Sequence, residues 1–203
     1  MEHRMIGIVG GIGSYAGIDL IKKVYDLTEA ASDQEHLPIS MLSVPHKITD
    51  RTNFLLDQTT LNPGIAISEI IDSLISNGSN IIGIPCNTAH AKPIFDLIKA
   101  SVPESVTLVH LIEEVGHYLS TNHPDVKHVG VLGTTGTIIA KVYPDVLSKY
   151  DIEVIQPSDE IQNLFVHPSI YDVNYGIKAF SNPVNSKAKE NLSMAATYLS
   201  RKG

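Results

Sequence analysis

The chain has 203 residues, 43% of them hydrophobic and 18% charged, which is enough to bury a core as one larger domain or two smaller ones. Its net charge of −7 and its scattered basic residues argue against nucleic acid or an anionic membrane surface as a partner, and no apolar run is long enough to span a bilayer. A lone cysteine rules out an internal disulfide, and the N-terminal MEHRMIGIVGGIG has no signal-peptide core, so a soluble cytoplasmic protein is expected.

The first element is the apolar run Met5–Val9, which lacks the alternation of a half-exposed strand and reads as one buried on both faces of a parallel sheet. A glycine-rich turn follows, then a helix over Ala16–Ala31 with Ile18, Ile21, Val24, Tyr25 and Leu27 on one side. A second strand is expected at Ile39–Val44. Pro63–Asn77 reads as an amphipathic helix stopped by Asn77-Gly78. Asn80–Ile84 is a third strand, and Ala91–Ser101 a helix that tolerates Pro93 in its first turn. Beyond it, helices are expected at Leu108–Leu119, Ile138–Lys149, Asp159–Leu164 and Pro183–Ser200, with strands at His128–Leu132 and Asp151–Ile155.

Strands alternating with helices predict an α/β fold of mostly parallel sheets flanked by helices. GIVGGIGSYAG near the start is echoed by GVLGTTGTIIA at 130–140, each a strand, a small-residue turn and a helix start. The echo predicts two similar lobes, 1–115 and 116–203, with the polar stretch STNHPDVK at 120–127 near the crossing.

Three motifs carry chemistry. Gly11, Ile12 and Gly13 sit between a strand and a helix, where backbone N–H groups bind anions. With Ala16 they nominally fit a dinucleotide fingerprint, but Ser43, Val44 and Pro45 stand where that fold needs an acidic residue. A cradle for a small carboxylate is the better reading. The only cysteine, Cys86, follows the third strand in PCNTAH, just before a helix, where free N–H groups and the helix dipole favour a thiolate. Asn87 and Thr88 add donors, while His90 reads as a capping or packing residue. Thr134, Thr135 and Thr137 in GTTGT hold the matching place in the second half; threonines also serve as local caps, but three around a glycine after a buried strand read better as hydroxyl and amide donors converging on an anion.

The words GIVGGIG, DRT at 50–52, PCNTAH at 85–90, GTTGT at 133–137 and IYDVNYGIK at 170–178 occur in one order over nearly the whole chain. In them the sequence resembles the aspartate/glutamate racemase family, and within it the aspartate racemase branch. The resemblance implies two α/β lobes with the active-site cleft between them and inversion of an amino acid's α-carbon without pyridoxal phosphate, metal or other cofactor. It also implies a homodimer and a small acidic amino acid as substrate. Cys86 would be one of two facing cysteines. Gly11, Ile12, Gly13, Asn87, Thr88, Thr134, Thr135 and Thr137 would hold the α-carboxylate and amino group. Arg51 and Lys178 match cations for the side-chain carboxylate, which an arginine can grip with two bonds; both would otherwise read as solvated surface charges.

One departure matters. The family's second cysteine lies in a GCTE-like motif beyond the TYLSRKG at which this sequence stops. Racemisation by these 203 residues is therefore expected to be impaired. A carboxylate-binding protein, and a one-cysteine relative carrying out proton exchange or decarboxylation, are the alternatives.

Overall fold

A computed structural model describes residues 4–57 and 60–203. The chain divides into two compact units, Met1–Leu111 and Ile112–Gly203. Among the described residues, no helix is long and apolar enough to cross a membrane.

The first unit runs β1 (Ile6–Gly10), α1 (Ser14–Asp26), a 3-10 turn at Asp33–Glu35, β2 (Ile39–Ser43), a second such turn at Pro45–Lys47 and α2 (Arg51–Leu56). It continues through α3 (Pro63–Ser76), β3 (Ile81–Gly83), a 3-10 turn at Asn87–His90, α4 (Lys92–Ser101) and β4 (Thr107–Leu108). Leu111 closes the unit and begins α5 (Leu111–Asn122). The four strands are all parallel, in the order β2-β1-β3-β4. β1 lies inside the sheet and is buried from Gly7 to Gly10, which is why its sequence is apolar throughout.

α3 supplies much of the core through Ile67, Ile70, Ile71 and Leu74. Its start is fixed by Asn62, whose side chain accepts the Gly64 N–H at 2.8 Å, and by Pro63 in the first turn. Ile8, Val9, Ile82, Ile94 and Ile98 are among the other buried residues of this core, each worth roughly 1.5–3 kcal/mol in buried surface.

The second unit carries the rest of α5 and a parallel pair, β5 (His128–Gly130) and β6 (Glu153–Ile155). Between the strands lie α6 (Thr135–Ile139), α7 (Val142–Leu147) and a 3-10 turn at Ser148–Tyr150. After them come α8 (Asp159–Ile161), a π-helical turn at Gln162–Val166, α9 (His167–Tyr171) and α10 (Ser186–Ser200). α5 is held against Tyr150 at Gly116, where a Cβ would come within 2.4 Å of the tyrosine ring, and the Tyr150 hydroxyl donates to Glu113 Oε2 at 3.1 Å.

The α/β class and the parallel sheets are as expected, and each expected strand is present, the first shifted by one residue and the others shorter by one or two. The helices differ more. α1 ends at Asp26 rather than Ala31, because the Thr28 hydroxyl donates to Val24 O at 2.6 Å and its N–H to Tyr25 O, closing the last turn. The expected helix at Leu108 gives way to β4, and α5 begins only at Leu111. A single helix over Ile138–Lys149 would set the ring of Pro144 against the carbonyl of Ala140. Instead the chain breaks at Lys141, with φ +50, and Pro144 falls in the first turn of α7. The helix expected to end at Leu164 continues through the π turn to Tyr171, and the last helix starts at Ser186, capped by Asn185, not at Pro183.

Candidate active site

In the first unit all strands point one way, so the turns after β1, β2 and β3 lie on one edge of the sheet. From β1 the chain goes to β2 on one side, and β3 lies on the other. Ligands of open α/β sheets bind at such a reversal, outside the carboxyl ends of the strands. Here the reversal falls between the glycine turn and the cysteine turn.

Gly11 and Gly13 adopt φ of +83 and +98, values that favour glycine. Gly13 occupies the N-cap of α1 without a side-chain acceptor, leaving that helix start to backbone N–H groups. Ile12 between them is only 3% exposed, so its side chain belongs to the core and only its backbone is available to a ligand. A Cβ on Gly11 would lie 2.9 Å from Pro45 N, so the β1 turn rests directly on the loop after β2. That loop leads to Asp50, which caps α2 by accepting the Asn53 N–H at 3.0 Å, and then to Arg51, the first residue of α2. Among the described residues, the buried Nε of Arg51 has no hydrogen-bond partner. An unsatisfied buried donor costs about 1–3 kcal/mol, and a guanidinium recovers that by forking onto a carboxylate. α2 also packs against the turn at Asn87–His90, which brings Arg51's helix beside the cysteine turn.

Cys86 is extended, with φ −148 and ψ 111, and stands at the head of that turn. The sequence suggested a helix directly after it. One 3-10 turn intervenes, and α4 starts at Lys92 because Ala91 is still extended and Pro93 suits a helix's first turn. The start of α4 therefore lies six residues past Cys86 in the chain. Cys86 is part-exposed, unlike a cysteine that fills a core. Its N–H donates to Ile84 O at 2.8 Å, and its carbonyl accepts the Ala89 N–H at 3.2 Å. Asn87 is part-exposed beside it, whereas Thr88 is 4% exposed and faces inward. His90 is buried too, and burial pushes its pKa down to about 4, with the neighbouring His110 acting in the same direction.

In the second unit, Thr134 caps α6. Its hydroxyl accepts the Thr137 N–H at 3.2 Å and lies 3.0 Å from the Thr137 hydroxyl, and Thr137 is 2% exposed. Two of the three threonines thus serve the local cap. Thr135 is different: its hydroxyl lies 3.0 Å from His167 Nδ1. His167 stacks on Tyr171 with centroids 4.8 Å apart, and Lys178 Nζ sits 4.1 Å over the Tyr171 ring. Thr135, His167, Tyr171 and Lys178 therefore form one row of contacts. Gln162 supports it by donating to Gly133 O at 3.1 Å. Sequence reasoning missed His167 and Gln162. The signal was present in part, since His167 and Tyr171 are four residues apart, the spacing of neighbours on one helix face.

Residues 9–192 match the Asp/Glu/Hydantoin racemase family. The broad specificity amino-acid racemase RacX of Bacillus subtilis (strain 168) is 32% identical over 158 residues, which cover 74% of this chain and 63% of that protein. The chain thus matches less than two thirds of that relative's length. Among solved structures, the Picrophilus torridus aspartate racemase is similar with a TM-score of 0.68 at 26% identity, covering 89% of this chain and 78% of the other. An aspartate racemase homologue from Pyrococcus horikoshii OT3 superimposes with a TM-score of 0.69 over 100% of this chain and 82% of its own, and at 23% identity it speaks for the fold.

Proposed function

The chain belongs to the Asp/Glu/Hydantoin racemase family, and from that premise we propose that it acts on an amino acid by moving the α-proton with Cys86 and without a cofactor. The observation that carries this reading is the part-exposed thiol at the carboxyl end of β3, on the reversal that also holds the glycine turn.

The proposed chemistry follows from the residues. The Cys86 thiolate takes the α-proton, leaving a carbanion whose charge spreads onto the α-carboxylate, and the thiol then returns a proton to the same carbon. Developing charge on that carboxylate is stabilised by fixed donors, here the N–H groups of the Gly11–Gly13 turn together with Asn87. An acidic amino acid, aspartate first, suits Arg51, because its second carboxylate would engage the guanidinium whose Nε is otherwise unpaired.

Inversion needs a second proton donor on the opposite face, and Cys86 is the only cysteine among the 203 residues. Without a positioned donor that step is slower by roughly 10²–10⁴-fold. These residues are therefore proposed to exchange the α-proton with solvent faster than they invert the carbon. The test is L-aspartate in deuterated buffer, with α-deuterium read by NMR and D-aspartate by chiral chromatography. Deuterium appearing in L-aspartate ahead of D-aspartate supports the reading, and Cys86→Ala should abolish it. Absence of exchange, with aspartate still protecting Cys86 from iodoacetamide, would favour a carboxylate-binding protein. A second reading comes from the Bacillus subtilis relative, described as broad in specificity. Equal exchange rates for alanine and aspartate would support breadth and remove Arg51 from substrate selection.

A further inference from the structure

His90 is 3% exposed, and its ring meets backbone groups of Cys86, Val109 and Leu111. The backbone N–H of Leu111 donates to Nε2 at 3.1 Å, and Nδ1 lies 2.9 Å from the carbonyl oxygen of Cys86. A backbone N–H can only donate, so Nε2 carries the lone pair, and the neutral ring then holds its hydrogen on Nδ1. That hydrogen is donated to Cys86. The ring is held in place by Phe95, stacked at 5.1 Å between centroids, and by His110, edge-on at 4.7 Å.

One of these bonds, that from Nδ1, acts on the residue that bears the thiol. Cys86 is already tied at its N–H to Ile84 O, and its carbonyl accepts from Ala89. The His90 bond is the second on that carbonyl, so the peptide groups on both sides of the α-carbon are held, and they set the Cα–Cβ direction. Only rotation about that one bond is left to the sulfur. A packing role alone would be met by an apolar side chain, which would not leave two ring nitrogens to satisfy in the interior.

We infer that His90 is a positioning residue for Cys86: held as the Nδ1–H tautomer, it ties the Cys86 carbonyl to the Leu111 backbone and so fixes where the thiol points. The inference rests on the reading of Cys86 as the proton-moving group, but its geometric part stands apart from activity.

Two substitutions separate the two bonds. In His90→Asn the side-chain amide N–H takes the place of Nδ1–H and keeps the bond to Cys86. In His90→Gln the amide oxygen takes the place of Nε2 and keeps only the bond from Leu111. Because Cys86 is the only cysteine, incorporation of 13C-cysteine gives a single Cα–Cβ signal from its position. His90→Asn should leave that signal in place, whereas His90→Gln should move or split it. With aspartate as substrate, His90→Gln should lower kcat for α-proton exchange by roughly ten- to hundredfold, with KM nearly unchanged, and His90→Asn should restore most of it. An unmoved Cys86 signal in His90→Gln overturns the inference, as does equal displacement in both variants. The tautomer is read in the unmodified protein from imidazole 15N shifts at neutral pH, and a ring protonated on Nε2 or on both nitrogens overturns it whether or not the variants fold. Failure of α-proton exchange in the unmodified protein would instead strike the functional reading, while the Cys86 signal still decides the role of His90.

Discussion

Replacing Gly11 by alanine tests whether the glycine turn and the loop after β2 are held as closely as the structure has them. Two costs add. Alanine at φ +83 lies in the left-handed region, which costs about 1–2 kcal/mol for a residue with a Cβ. The new methyl would also lie 2.9, 3.0 and 3.1 Å from N, Cα and Cδ of Pro45, inside the contact distance of about 3.5–4.0 Å for nonbonded carbon atoms. None of these atoms ends a flexible side chain, so relief requires the loop itself to move, and overpacking of that kind costs about 1–3 kcal/mol. The expected total is about 2–5 kcal/mol. Gly78→Ala is the control, since Gly78 has φ +96 but nothing within 4 Å of a Cβ, and only the backbone cost of about 1–2 kcal/mol applies. Equilibrium urea unfolding followed by far-UV circular dichroism measures both. Gly11→Ala should be the less stable by about 1–3 kcal/mol, and it alone should weaken aspartate binding, because the displaced loop leads to Arg51. Equal losses in the two variants would refute the contact with Pro45.

Arg51→Ala should weaken aspartate binding by about 1.5–3 kcal/mol, roughly ten- to 150-fold, measured by calorimetry; unchanged affinity would make the arginine a surface charge. Stability should also depend on His90. Its pKa is lowered from 6.5 to about 4 by burial, so the unfolded chain takes up a proton that the folded chain refuses. The resulting contribution is whole above about pH 6.5 and is lost as pH falls toward about 4, amounting to about 3 kcal/mol. Urea unfolding of the unmodified protein and of His90→Gln across that window should show the difference between them shrinking as pH falls, and a constant difference would contradict the neutral buried ring. Thr135→Val removes the hydroxyl 3.0 Å from His167 Nδ1 and should cost about 1 kcal/mol in urea unfolding; an unchanged stability would show that the contact contributes nothing in solution.

Several features of this protein are written locally. The strands are legible because a segment buried on both faces cannot carry polar side chains, and β1 has none. α3 is legible at both ends, since Asn62-Pro63 caps its start and Asn77-Gly78 ends it with groups a few bonds away. Cys86 could be placed at a strand's carboxyl end for the same reason: the apolar run and the proline after it are contiguous. Other features depend on chain that arrives from far away. β4 is two residues long and exists only because β3 lies beside it, a partner about 25 residues earlier. Ile12, Thr88 and Thr137 are buried by chain that packs over them, although the family resemblance had set all three beside a ligand. The contact of Gly11 with Pro45 joins two turns more than 30 residues apart, as does that of Thr135 with His167. His90 shows the division most plainly. Its place in PCNTAH is a matter of sequence, but which ring nitrogen holds the hydrogen was decided by the Leu111 N–H, 21 residues away, because hydrogen-bond partners and burial are set by which distant backbone comes to rest against a side chain.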